Sequence, residues 1–187
     1  MNVISLSQSP DAAFIRQVEQ ESGQTASHCY QCGNCTAGCP YTFVYDIPVH
    51  QIMRLLQAGQ KKTLLSCRSI WLCATCQSCT TRCPNQIEVA QVMDTLRHIS
   101  RREGYADGEF AVRAFTDSFL ESVEKNGRAF EMGLMLRYAL KTGRFWTGAD
   151  LAPKLAPKGK LSMKPHTVKN PEAIARIFKR FREEQAP

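Results

Sequence analysis

The cysteines constrain this chain more than any other feature. Cys29-x2-Cys32-x2-Cys35-x3-Cys39-Pro40 recurs further along as Cys73-x2-Cys76-x2-Cys79-x3-Cys83-Pro84. Three thiolates at two-residue steps can curl around one corner of an iron–sulfur cubane. A fourth, set off by three residues and followed by proline, leaves in another direction and ligates the neighbouring cluster. The pattern therefore predicts two [4Fe–4S] clusters. Their crossed ligand sets are Cys29, Cys32, Cys35 with Cys83, and Cys73, Cys76, Cys79 with Cys39. Thr36 and Thr80 also match, so the repeat extends slightly beyond the ligands.

Two simpler uses of cysteine fit less well. Structural zinc takes four ligands, normally as two Cys-x2-Cys pairs. The third cysteine at the same step has no place there. Disulfides are disfavoured because nine cysteines is an odd number and no secretory signal precedes them. Reduced thiols and clusters imply a cytoplasmic, reducing compartment. No apolar run approaches the roughly 20 residues needed to cross a bilayer.

The segment between the runs, from Pro40 to Leu72, does not read as a β-hairpin. Pro48 opens a helix with Val49, Ile52, Met53 and Leu56 at helical spacing, ended by Gly59. A second helix follows the second run, with Val89, Val92, Met93, Leu96 and Ile99, stopped at Gly104. Before the first run, Ser9-Pro10-Asp11 supplies an N-cap, a proline at the first helical position and an acid in the first turn, and Gly23 ends that helix. A helix after each loop predicts an all-α, ferredoxin-like module that holds the two loops together. Residues 1–107 are assigned to it.

Residues 108–145 read as a helical hairpin packed on the module. Its stripes are Val112, Phe115, Phe119, Val123 and then Met132, Met135, Leu136, Ala139, Leu140, with Asn126-Gly127 as the turn. Residues 146–187 read as an extended basic docking arm, broken by Pro153, Pro157 and Pro165. It ends in a helix signalled by Asn170-Pro171-Glu172, with Ile174, Ile177, Phe178 and Phe181 on one side. Two settings suit that helix, its own domain or another protein's surface, and the proline-broken arm favours the second.

Charge supports that reading. The net charge is +7, but residues 1–150 carry 15 Lys+Arg against 14 Asp+Glu, while residues 151–187 carry 9 against 3. Each oxidised cubane with its four thiolates adds about −2. The basic excess sits in a tail without an aromatic platform or recognition-helix motif, so it points to an acidic protein partner, not to nucleic acid.

Other residues carry smaller expectations. Cys67 reads as a buried structural thiol. Trp71 and Tyr30 are expected to shield the clusters from water. His28, His50, His98 and His166 are read as ordinary, since the four-cysteine sets are complete without them. The chain has no phosphate loop, nucleotide fingerprint or hydrolase motif, so no turnover is expected of it alone.

The two Cys-Pro runs, the long helical insert, Ser69-Ile70-Trp71-Leu72-Cys73-Ala74-Thr75-Cys76 and the basic stretch Leu155-Ala156-Pro157-Lys158-Gly159-Lys160 resemble the C-type subunit of heterodisulfide reductase. That resemblance implies an α-helical ferredoxin fold with two [4Fe–4S] clusters. It also implies a role in passing electrons between a flavin-containing A-type subunit and a B-type subunit with Cys-Cys-Gly motifs. Succinate dehydrogenase iron–sulfur subunits place a plant-type domain first, and the stretch from Met1 to His28 is too short to hold one. Glycerol-3-phosphate and glycolate oxidase subunits add Cys-Cys-Gly domains, and no Cys-Cys-Gly occurs here. A free two-cluster ferredoxin carrier is the alternative, and a zinc-stabilised interaction module a remote third.

Overall fold

The computed structural model describes residues 10–105, 110–145 and 164–185. The described residues are helical or irregular, with no strand among them. The chain falls into two compact units, residues 1–109 and 110–187.

The first unit contains α1 (Ala12–Ser22), α2 (Asn34–Ala37), α3 (Val49–Gln57), α4 (Lys61–Ser66), α5 (Ser69–Leu72), α6 (Ser78–Thr81) and α7 (Val89–Arg102). The cap of α1 is Asp11, not Ser9: its Oδ1 accepts the Phe14 N–H at 2.9 Å. The N–H of Asp11 in turn donates to Gly59 O at 3.2 Å. A side chain at Gly59 would stand 2.5 Å from that same nitrogen, and φ here is +61°. Glycine therefore both ends α3 and lets α1 close against it.

Helices α3 and α7 each turn one apolar face inward. Ile52, Met53 and Leu56 meet Phe14 and Val18 of α1, Leu64 and Leu65 of α4, Ile70 of α5 and Met93, Leu96 and Ile99 of α7 in a fully buried core. Burying a side chain of this size contributes about 1.5–3 kcal/mol. Ser100 ties α7 to α4 by donating its hydroxyl to Leu65 O at 2.7 Å. Helices α2, α4, α5 and α6 are each little more than a turn, too short to announce themselves by periodicity.

The second unit contains α8 (Phe110–Asn126), α9 (Glu131–Thr142) and α10 (Pro171–Gln185). Helices α8 and α9 form the expected hairpin, with Gly127 at φ +77° after α8. Their inward faces differ from expectation. Helix α8 buries Ala114, Ser118, Ser122 and Asn126 at four-residue spacing, while Phe115 and Phe119 lie largely exposed. In α9 the buried residue is Leu134, and Met135, Leu136 and Leu140 face outward. The apolar stripes are real, but a stripe does not say what covers it. Helix α10 packs on α8, with Arg182 ion-paired to Glu124. Its Ile177 and Phe181 remain about half exposed. Residues 146–163 of the expected arm lie outside the described residues.

Candidate iron–sulfur site

The backbone of the two cysteine runs repeats in detail. The residue before the second cysteine is left-handed in both, Gln31 at φ +65° and Thr75 at +50°. So is the residue after it, Gly33 at +80° and Gln77 at +64°. A left-handed, β-branched Thr75 is costly by itself and persists only where its surroundings demand it. These bends curl each run before α2 or α6 begins. Helices α2 and α6 then pack on each other.

The repeat extends into the helices with a register change. Ile47-x-Val49-x-Gln51-x-Met53-x2-Leu56 recurs as Ile87-x-Val89-x-Gln91-x-Met93-x2-Leu96. The offset from Ile47 to Ile87 is one helical turn shorter than that from Cys29 to Cys73. The difference falls between the last cysteine and the isoleucine, so the first copy holds an extra turn at Thr42–Val44.

Matching contacts fasten each run to its helix. Thr36 Oγ1 accepts the His50 N–H at 2.9 Å, and Thr80 Oγ1 accepts the Ala90 N–H at 3.4 Å. Gln57 Nε2 donates to Ala26 O at 2.9 Å and to Cys29 O at 2.7 Å. At the equivalent place in the second half, Arg97 donates from Nε to Ile70 O at 2.9 Å and from Nη2 to Cys73 O at 2.7 Å. The first cysteine of each run is thus held by the last turn of α3 or by α7.

Asp46 joins the halves. One carboxylate oxygen accepts the Ser69 N–H at 2.9 Å and the Ile47 N–H at 3.0 Å, and lies 2.6 Å from Ser69 Oγ. The other accepts the Arg68 N–H at 2.9 Å. Burial alone would raise its pKa, but these donors outweigh it and hold it below the usual carboxylate value. The loop after the first run is thereby pinned to the turn before the second. On the other side, the Asn85 amide donates to His28 O, bringing the loop after Cys83 against the start of the first run.

These ties bring the cysteines together across the runs. Cys39, Cys73, Cys76 and Cys79 line one cavity with Tyr41, Tyr45, Val49 and Met93. Cys32 and Cys83 both lie beside the phenol of Tyr30, and Cys35 lies near Cys29 and also near Cys79. Burial, followed by the neighbouring Cys29, pushes the Cys35 thiol up to about 11. A coordinating metal reverses that cost, because it deprotonates the thiol outright. Among the described residues no three Cys, His, Asp or Glu side chains converge closely enough to grip a single ion. Cys39, Cys73, Cys76 and Cys79 line a shared space instead, as a donor set for a multi-iron cluster does, and these residues fit such a group.

Residues around the thiols divide into expected and unexpected. Trp71 is buried, as a shield should be, whereas Tyr30 is 62% exposed and keeps little water away. Cys67 is buried, and burial pushes its thiol up to about 12, the behaviour of an inert structural cysteine. Tyr45 was not anticipated. It lines the cavity beside Cys39 and Cys73, and its phenol interacts with both thiols. Burial, then those two thiols, push it well above the ordinary tyrosine range, so it stays a proton donor.

Fold and site define a helical protein that holds two [4Fe–4S] clusters, and a family model described as "4Fe-4S dicluster domain" matches residues 28–88. The C-type subunit of the H(2):CoB-CoM heterodisulfide,ferredoxin reductase of Methanothermobacter thermautotrophicus is 30% identical over 123 residues, which are 65% of this chain and 66% of that protein. The C-type iron-sulfur subunit of the CoB–CoM heterodisulfide reductase of Methanopyrus kandleri is 32% identical over 87 residues, 46% of this chain and 45% of that one. Its counterpart in a ferredoxin:CoB-CoM heterodisulfide reductase of Methanosarcina acetivorans is 28% identical over 171 residues, 86% of this chain and 66% of the relative. The chain is similar to heterodisulfide reductase C-type subunits and carries the dicluster domain of an iron–sulfur protein. It spans just under two thirds of the length of the first of these relatives. No described helix is long and apolar enough to cross a membrane.

Proposed function

We propose that this chain relays single electrons inside a heterodisulfide-reductase-like complex, between a flavin-containing A-type subunit and a B-type subunit with Cys-Cys-Gly motifs. In this reading Cys29, Cys32, Cys35 and Cys83 hold one [4Fe–4S] cluster and Cys73, Cys76, Cys79 and Cys39 the other. The observation that carries it is the shared cavity of Cys39 with the three cysteines of the opposite run. Such clusters accept and release one electron at a time, whereas reducing a disulfide takes two. The protein's own part is to hold the thiols. Asp46, Asn85, Gln57 and Arg97 fix the two loops so that little rearranges when charge arrives.

The relatives' names describe subunits of heterodisulfide reductases, which favours an assembled subunit over a diffusing carrier. The exposed Leu136, Leu140, Ile177 and Phe181 favour it too, since apolar side chains of this size in one unit suit a covered surface. The segment Lys154 to Lys169 with the helix Pro171 to Phe181 is assigned to holding the acceptor subunit.

The test is direct. The anaerobically purified chain should carry eight iron and eight sulfide, and about two zinc without sulfide would overturn the reading. Cys83→Ser should damage the cluster of the first run, and Cys39→Ser that of the second, as read by resonance spectra of the reduced proteins. Removing residues 151–187 should spare both clusters but abolish co-purification with the acceptor subunit. Unchanged complex formation would favour the free carrier.

A further inference from the structure

The two halves of the site match at Thr36 and Thr80, at Gln57 and Arg97 and through the inner faces of α3 and α7, but the residue two before each isoleucine is used differently. Tyr45 follows the extra turn of the first half. Aligned through Ile47 and Ile87, its equivalent is Asn85. The Asn85 amide is engaged with His28 O. The Tyr45 phenol instead faces into the cavity, at Cys39 from one run and Cys73 from the other.

Donors also face the opposite sulfur set, from a flexible amide and a backbone N–H. Gln31 Nε2 stands 3.3 Å from Cys29 Sγ, and the Ile87 N–H lies 3.4 Å from Cys83 Sγ. Tyr30, beside Cys32 and Cys83, shares its hydroxyl with water at 62% exposure. Tyr45 is half-buried, so water competes less for its proton.

We propose that Tyr45 donates its one phenolic proton as a hydrogen bond to the sulfur of Cys39 or Cys73 and so raises the electron affinity of the cluster held by Cys39, Cys73, Cys76 and Cys79. The proposal rests on the ligand sets given under the proposed function. An added electron increases negative charge on the sulfurs, and a hydrogen bond to sulfur strengthens as that charge grows. The donor therefore stabilises the reduced form more than the oxidised form. No proton has to leave Tyr45, since the step is one electron gained by the cluster and lost by its donor. The otherwise matched halves thereby become unequal, with Tyr45 a positioning residue for electron flow.

Spectroscopically monitored redox titration of the full, cluster-loaded chain tests this. Tyr45→Phe should weaken the electron affinity of one cluster about tenfold, which is about 59 mV for one electron, and leave the other unmoved. The affected cluster should be the one whose signal Cys39→Ser perturbs. Tyr30→Phe should give a clearly smaller shift, and in the other cluster. Should Tyr45→Phe fail to assemble, Tyr45→3-fluorotyrosine keeps the shape and strengthens the donor, and must move the same potential upward. A full iron and sulfide content with an unmoved potential in Tyr45→Phe, an equal shift of both clusters, or a downward shift with fluorotyrosine overturns the proposal. A wild-type chain short of eight iron tells instead against the ligand sets.

Discussion

The two units solve the problem of burial in opposite ways. The first packs Phe14, Ile52, Met53, Leu56, Leu64, Leu65, Ile70, Met93, Leu96 and Ile99 out of solvent. The second buries Ala114, Ser118, Ser122, Asn126 and Leu134, and leaves Phe115, Phe119, Leu136 and Leu140 largely in water. Its helices are joined by polar contacts. Ser122 Oγ accepts the Phe130 N–H at 2.8 Å, Lys141 pairs with Glu121 at 2.8 Å, and Asn126 O accepts the Val168 N–H at 3.1 Å. Surface ion pairs contribute about 0–1 kcal/mol each, far less than a filled core. The first unit thus sets its site on a closed core, while the second leaves its larger apolar side chains uncovered.

The largest expected effect breaks the first half of that contrast. Leu96 is fully buried where α7 meets the core, so Leu96→Ala should cost about 3 kcal/mol by removing contacts and leaving a cavity. Thermal unfolding of the loaded protein should fall sharply, with early release of iron. Retention of the wild-type midpoint would show that the clusters, not the core, hold this unit.

Asp46 comes next. Four donor groups converge on its carboxylate. The Ile47 N–H and Ser69 Oγ also bond each other's residue, so Asp46→Ala should cost about 1–3 kcal/mol, mainly through the Arg68 and Ser69 N–H groups. Because the folded pKa is depressed, the contribution is complete above the unfolded carboxylate value of about 3.9 and is lost as pH falls through the lower folded value. Acid also destroys iron–sulfur clusters, so the informative quantity is the difference between wild type and Asp46→Asn. That gap should be widest near neutrality and narrow below about pH 4. A gap that stays constant to lower pH would remove Asp46 as a charged clamp.

How much of this could be read from the chain beforehand follows the same division. The cysteine runs and helices α3 and α7 were legible because ligand spacing and helical period are local patterns. The α3–α7 part of the repeat was legible too, yet hidden, since its offset is one turn shorter than that of the cysteines. Searching the second register would have exposed Ile47 and Ile87, Gln51 and Gln91, Met53 and Met93, and with them the equivalence of Gln57 and Arg97. Asp46 and Tyr45 were not legible. Their roles come from Arg68, Ser69 and Cys73, which are distant in the chain, and no local pattern encodes that. In α8 the apolar stripe outweighed the Ala114, Ser118, Ser122, Asn126 series by hydrophobicity, yet the smaller side chains let the helices approach and took the inside.

Gln57 offers a smaller test, within the first unit. Gln57→Ala removes two hydrogen bonds to backbone carbonyls, at Ala26 and Cys29. It should cost about 1–2 kcal/mol and loosen the cluster nearest Cys29 first. Faster iron release from the first run than from the second, followed by the separate resonance signals, is the expected outcome. Equal release from both would mean that the halves are not independently fastened.

The smallest effect on stability decides the second half of the contrast. Leu136 is 60% exposed and Leu140 66% exposed, one helical turn apart and so on one face of α9. Substituting both with serine removes apolar surface that already touches water, and a surface change of this kind shifts stability by at most about 0.5 kcal/mol. Iron content and the thermal midpoint of the isolated chain should therefore stay as in wild type. If this face is completed by the acceptor subunit, the same double substitution should sharply weaken co-purification with it, because apolar contacts at an interface centre carry much of the binding. If the face is instead part of this chain's own packing, the midpoint falls and partner capture suffers only in proportion. The contrast between the units then turns on one measurement, whether Leu136 and Leu140 matter to the chain alone or only to its assembly.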